Sequence, residues 1–324
     1  MASTLRALRR RILTPDISET KLSTRGFHDK GPEARFLLES VGRTFLAGFA
    51  RAAESQGPDD ITTLDAIEPQ YRGFAYEGAG MAYALMDGLS LGPARRTARF
   101  LSGAGDRHIY MAYVGVGWAM ARLPRMRWAK ASAAAGDPLL RWLVLDGYGF
   151  HQAYFHTARY VRDQHEEAAF PWPADDPTGY AHHAIDQGIG RAVWFVAGSS
   201  ATLACDLIDR FPERRRRDLY SGAGLAATYA GGGDEGELRT LWNRAGQHRP
   251  WVSQASAFAA QARVRAGLVV GHTVLATGVF CDLTPEEAGA LTDTAVPDHP
   301  ASTGPTYEMW RNNVADVFIQ RGWY

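Results

Sequence analysis

The stretch FAYEGAGMAYAL, residues 74–85, places Gly78 and Gly80 one position apart inside an apolar run. The pattern returns as MAYVGVGWAMAR from Met111, LVLDGYGFHQAY from Leu143, AIDQGIGRAVWF from Ala184, DLYSGAGLAATY from Asp218 and WVSQASAFAAQA from Trp251. The first small residues are Gly78, Gly115, Gly147, Gly188, Gly222 and Ala255, so the copies lie 37, 32, 41, 34 and 33 residues apart. LLESVGRTFLAG reads as a weaker seventh copy with Ser40 in that position, 38 residues before Gly78. A period of this length, with apolar residues at helical spacing, is that of a helix–turn–helix repeat.

Glycine inside a helix costs about 1 kcal/mol relative to alanine, so packing has to offset it. Four residues on from these glycines stand further small residues: Ala82 and Ala84, Ala119 and Ala121, Ala192, and Ala226. Such stripes predict helices that approach one another closely. They do not read as a phosphate cradle, since GAG and GYG here lack a preceding strand and a third spaced glycine.

The segments ITTLDAIEP, ARRTARFLSG, SATLACDLIDRFP and ELRTLWNRAG fit partner helices, and several end in the Gly or Pro that stops one. The basic, Ala-rich segment between the second and third motifs fits less well. The expected fold is therefore all-α: an α/α helical-hairpin repeat array of six to seven units, either a curved solenoid or a closed toroid. Residues 1–296 form the repeat domain. FPWPADDPTGY, residues 170–180, offers a division into halves 32–168 and 178–296. VPDHPASTGP sets off a linker and C-terminal amphipathic segment, 297–324, whose Met309, Val314, Val317 and Phe318 have a face to dock on the array or on a partner.

Composition excludes several functions. Lys+Arg and Asp+Glu both number 35, so no net field draws the chain to nucleic acid or an anionic membrane. The Arg runs at Arg9–Arg11 and Arg214–Arg217 are local and lack aromatic interleaving. Two cysteines, Cys205 and Cys281, sit in apolar contexts and exclude a disulfide framework. No apolar segment follows the basic N-terminus as a secretory signal requires, and no apolar run is long enough to span a bilayer, which points to the cytoplasm.

Repeats supply an internal control, because packing alone does not explain where one copy departs from its siblings. Before the first small residue stand Glu77, Val114, Asp146, Gln187, Ser221 and Gln254, five of six polar within apolar helices. Four residues after it stand Ala82, Ala119, His151, Ala192, Ala226 and Ala259, one histidine among alanines. The same copy carries Tyr148, Tyr154 and His156, and the next has Arg191 where others have Met, Trp, Phe or Leu. His151, Asp146, Glu77 and Arg191 are the catalytic candidates, suited to acid–base work because a histidine titrates near neutrality and a carboxylate can orient it. His151 and Asp146 flank each other on one helix, so contact requires Glu77 or Arg191 from a neighbour. Tyr148, Tyr154, Phe150, Trp118, His156 and Gln187 are the substrate-binding candidates, with Tyr83, Trp194 and Phe195 completing an apolar groove. A packed polar network is the competing reading. Neither His151/His156 nor His182–His183 has the i, i+4 spacing of a metal pair, no cofactor motif occurs, and no GxSxG accompanies a nucleophile.

In order, FAYEGAGMAYALMD, DRHIYMAYVGVGWAMARL, LDGYGFHQAYFH, IDQGIGRAVWFV and LYSGAGLAATYAGG resemble a bacterial family of unknown function. Its members are encoded by unbL genes beside enediyne polyketide synthases in actinomycete clusters. The resemblance runs from RGFHDK near Arg25 to VFCDLTPEEAGALTD. It implies a role in assembling an enediyne-type polyketide and carries no reaction or catalytic residues with it. Two readings follow: an enzyme acting on an apolar polyene near Asp146 and His151, or a non-catalytic scaffold or chaperone for a polyketide synthase, a carrier protein or the polyene. A membrane-associated partner using the basic N-terminal helix is a third.

Overall fold

A computed structural model describes residues 2–172, 174, 176, 178–299 and 304–323, and its regular elements are helices alone among these. The first half holds Ala2–Leu13 (α1), Leu22–Arg25 (α2), Pro32–Glu54 (α3), Pro69–Leu89 (α4), Arg96–Leu101 (α5), Ile109–Arg122 (α6), Trp128–Ser132 (α7) and Trp142–Phe155 (α8). The second holds Ala181–Val196 (α9), Ala201–Ile208 (α10), Glu213–Tyr229 (α11), Glu235–Ala245 (α12), Arg249–Ala266 (α13), Gly271–Cys281 (α14), Pro285–Thr294 (α15) and Thr306–Gln320 (α16). The starts are written in local chemistry. Prolines open α3, α4 and α15, where an N–H would go unpaired in any case. Ser200 and Asp234 cap α10 and α12, and Thr284 with Glu287 forms a capping box for α15.

The motif-bearing helices pack side by side in one row, α3–α4–α6–α8–α9–α11–α13–α15, while the shorter helices between them lean on the row. Neighbours run the same way. Tyr76 of α4 stacks on His108 ahead of α6 at 3.9 Å, and at the other end Leu123 reaches the Gly88 position. The all-α repeat array read from the sequence is the observed architecture.

The doublets form the seams. A Cβ on Gly115 would overlap the Glu77 carbonyl oxygen of α4, and one on Gly117 the Val144 carbonyl oxygen of α8. Gly147 meets Val114, Gly188 meets Asp146 and Gly222 meets Gln187 in the first way, while Gly149 meets Ile185 and Gly190 meets Leu219 in the second. The first residue of each doublet thus faces the helix before it and the second the helix after it. Backbone lies on backbone, which only glycine permits.

The same geometry corrects the register of the first copy. Gly78 meets the Phe45 carbonyl and Gly48 meets the Ala75 carbonyl, so Leu46 and Gly48, rather than Ser40 and Gly42, correspond to the doublet. No row helix precedes α3, and Leu46 keeps a side chain at the position where a glycine would face one.

The row curves back on itself. Arg263 of α13, fully buried, donates to the Pro69 and Gln70 carbonyls at the start of α4, and the Tyr229 ring of α11 meets Phe74 of α4 at 5.3 Å. It also continues without interruption across residues 170–180, since Gly149 of α8 abuts α9 directly. Between the second and third motifs there are only a 3-10 turn at Arg125–Arg127 and the turn-and-a-half of α7, which is why that segment read poorly as a partner helix. Helix α16 docks on α13, burying Tyr307, Trp310, Val314 and Phe318 while Met309 stays half-exposed. Its Arg311 reaches inward to Asp218 (2.8 Å), the Tyr180 hydroxyl (2.9 Å) and Ser221 Oγ (3.1 Å). Burial works against the Asp218 anion, but Arg311 and His183 (2.7 Å) outweigh it and hold that carboxyl below the usual range. Cys205 and Cys281 are buried free thiols.

Candidate functional site

Inside the curve lies a cavity of about 450 Å³, within the range of small-ligand sites. Repeat geometry decides what lines it. Three residues after the first small residue stand Met81, Trp118, Phe150, Arg191 and Leu225, and seven after it Arg122, Tyr154, Phe195 and Tyr229; all of these face the cavity. One helical stripe from each of α4, α6, α8, α9 and α11 therefore builds the wall. Phe45 and Leu46 of α3 close the side opposite. The floor is buried and polar, with Glu77 and Arg191, and the rim is open, with Pro15, Glu19, Arg122 and His156 exposed or half-exposed.

Arg191 is the fixed cation. Its Nη1 donates to Asp146 Oδ1, its guanidinium lies 5.1 Å from the Phe150 ring, and Asp146 Oδ2 accepts from Gln187 Nε2 at 2.8 Å. Burial would deprotonate Arg191, yet Asp146 and Glu77 hold its pKa up. Glu77 makes no direct ion pair among the described residues. Burial pushes its carboxyl up to about 7, Asp146 adds to the rise, and the charge of Arg191 limits it. The Trp118 indole N–H favours the Glu77 anion through its proximity, although its geometry falls short of a hydrogen bond. Glu77 therefore exchanges a proton near neutral pH while facing an apolar chamber.

His151 behaves otherwise. Burial, with help from Arg122 and His156, lowers its pKa to about 3, and its Nδ1 has no partner. It lies edge-on to Trp118, 5.5 Å between ring centres, and the carboxylate expected to orient it is absent from its surroundings. The histidine is neutral at physiological pH and does not form a dyad with Asp146. Its ring protons should hold constant NMR shifts from pH 5 to pH 8; a titration midpoint inside that window would show a solvated or carboxylate-paired ring instead.

Of the residues read as site candidates, Glu77, Arg191, His151, Trp118, Phe150, Tyr154, His156 and Phe195 meet at this cavity. Asp146 and Gln187 stand behind Arg191, with Asp146 on a second chamber of about 50 Å³ shared with Tyr307 and Trp310 of α16. Tyr148 faces the opposite way, against Trp128 and Phe170. Tyr83 bonds to Ser55 (3.0 Å) and Trp194 donates to the Gly231 carbonyl (2.9 Å), both in the packed core. Arg122, Tyr229 and Phe45 were missed. Aligning the copies at the position seven after the first small residue would have shown the first two. Among the described residues no cluster of three His, Cys, Asp or Glu side chains suits a metal.

The sequence pattern of a family described as proteins of unknown function (DUF1702) matches residues 4–318. The chain belongs to that family. No curated protein and no solved structure matches it. No helix among the described residues is long and apolar enough to cross a membrane.

Proposed function

We propose that the chain encloses an elongated apolar molecule in the central cavity and moves a proton on it through Glu77. The observation that carries this reading is a buried carboxyl, without an ion pair among the described residues, at the closed end of an apolar chamber, where burial pushes its pKa up to about 7. A general acid–base group works best when its pKa lies near the operating pH. Arg191, held by Asp146 and Gln187, supplies a stationary positive field beside it. The chemistry that fits is a proton taken from one carbon of an unsaturated chain and returned at another, which needs no redox partner. The resemblance to the family encoded by unbL genes supports, as the molecule, a polyene intermediate of enediyne-type polyketide assembly, offered by its synthase or a carrier protein at the open rim.

Native mass spectrometry of chain purified from a producing strain tests the binding. Ala121, half-exposed on the cavity wall, can be replaced without touching the floor. Wild type is expected to carry an apolar adduct that Ala121→Trp, by filling the chamber, loses. An adduct retained in full by Ala121→Trp, or none in wild type, would overturn the reading. An adduct that leaves chemically unchanged would favour a non-catalytic holder.

A further inference from the structure

The N-terminal helix α1 is turned the wrong way for an ordinary surface helix. Leu5, Leu8 and Ile12 follow one face, yet they are 66%, 50% and 69% exposed. The face set against the protein instead holds Arg9, whose guanidinium donates to the Ala53 and Ser55 carbonyls at the end of α3, and Leu13. An apolar stripe normally turns toward the core; here side-chain bonds pin it outward. The helix contains Arg6, Arg9, Arg10 and Arg11 and no acidic residue. Among the described residues only Arg10 has a carboxylate beside it, Glu54 at 2.8 Å. On a helical wheel Arg11 lies on one side of the stripe, placed to reach past it, while on the other side come Arg9 and, further round, the half-exposed Arg6. Arg9 also lies in the field of Arg96, at the start of α5, next to the loop that carries Leu91 at 95% exposure.

We propose that α1 docks on an anionic lipid surface, its leucine stripe sunk to the headgroup boundary and its arginines among lipid phosphates. An apolar face with flanking arginines and no acids is the chemistry of an interfacial helix. The position adds a use. The chain passes from α1 directly into Pro15, Glu19 and Thr20, which line the cavity mouth, and Glu19 is neutralised by Arg25 at 3.0 Å. Docked this way, the mouth stands at the interface where an apolar molecule partitions. That last step rests on the cavity reading, whereas the docking itself does not.

Flotation of the full chain with vesicles of phosphatidylcholine alone, and of an equal mixture with phosphatidylglycerol, tests it. Wild type is expected to float with the anionic vesicles at low salt, less at high salt, and little with phosphatidylcholine. The triple variant Leu5→Ser/Leu8→Ser/Ile12→Ser, altered only at exposed positions, should keep its circular dichroism and lose partitioning at least about a hundredfold. Arg6→Gln/Arg11→Gln should lose about fivefold per charge. Wild type that stays with the unbound fraction at low salt, or a triple variant that floats equally, overturns the proposal. So does a chain that elutes as a dimer while the triple variant elutes as a monomer, because a second copy would then cover the stripe. An adduct kept in full by Ala121→Trp, or absent from wild type, with flotation unchanged would sink the enclosed-ligand reading and leave the docking standing.

Discussion

Gly117→Ala is expected to destabilise the chain by about 3 kcal/mol or more, while the same one-carbon change at Gly278 stabilises it by about 0.5–1 kcal/mol. The added methyl at Gly117 would overlap the Val144 carbonyl oxygen and stand 2.7 Å from the Tyr148 amide nitrogen. Both are backbone atoms of α8, so no rotamer change relieves the overlap and two helices have to part. The helix-propensity gain of alanine, about 1 kcal/mol, is too small to offset that. At Gly278, exposed on α14, nothing lies within 4 Å of a new Cβ, and only the propensity gain remains. Ala255, fully buried, occupies the doublet position in α13, and Ala255→Gly should cost about 2 kcal/mol, through propensity and the loss of one buried methyl. Urea unfolding midpoints of the three variants decide the matter. Equal effects at Gly117 and Gly278 would mean that the seams are not backbone on backbone.

Glu77→Gln is expected to reduce conversion of the bound molecule by about 10²–10⁴-fold while leaving the adduct in place. The same variant should be more stable than wild type at pH 8, by up to about 3 kcal/mol, with the difference fading below pH 5. The sign follows from burial. In the folded chain the Glu77 carboxyl holds its proton to about pH 7, whereas in the unfolded chain it releases it near the usual 4.5. The proton's contribution to stability is whole below pH 4.5 and is lost as pH climbs through 7. Above that, wild type carries a buried anion that glutamine does not. Unfolding midpoints at pH 5 and pH 8, alongside chromatography of extracted ligand, measure both effects. A variant with full conversion would remove Glu77 from the chemistry. A stability difference that ignores pH would mean its carboxyl is solvated.

The row of helices was legible because each glycine doublet answers a local steric demand that repeats. Register failed where the demand lapses. LLESVGRTFLAG offers both Ser40-Val41-Gly42 and Leu46-Ala47-Gly48, and only the contact with α4 identifies the second. At the site, Arg191 was visible as a departure from the repeat, Glu77 as one of a row of polar residues inside apolar helices, and Trp118 as part of an aromatic groove. Asp146 was rightly marked as polar, but Arg191 stands between it and the large cavity. Tyr148 was misplaced because it follows Gly147 directly, and adjacent residues on a helix point about 100° apart. Tyr229 and Arg122 escaped notice because the inward stripe extends a full turn beyond the motif. Which residues face inward depends on the crossing of two helices, and one helix read alone does not contain it.

Leu46 has a consequence for how such arrays grow. Every other row position of its kind up to Gly222 is bare on the side toward its predecessor, so a further hairpin could seat there if chain order allowed. At Leu46 an isobutyl group fills the docking place and turns into the chamber wall. Duplication of a repeat at this end would find that side chain in its berth, with the N-terminal segment already packed on α3 beside it.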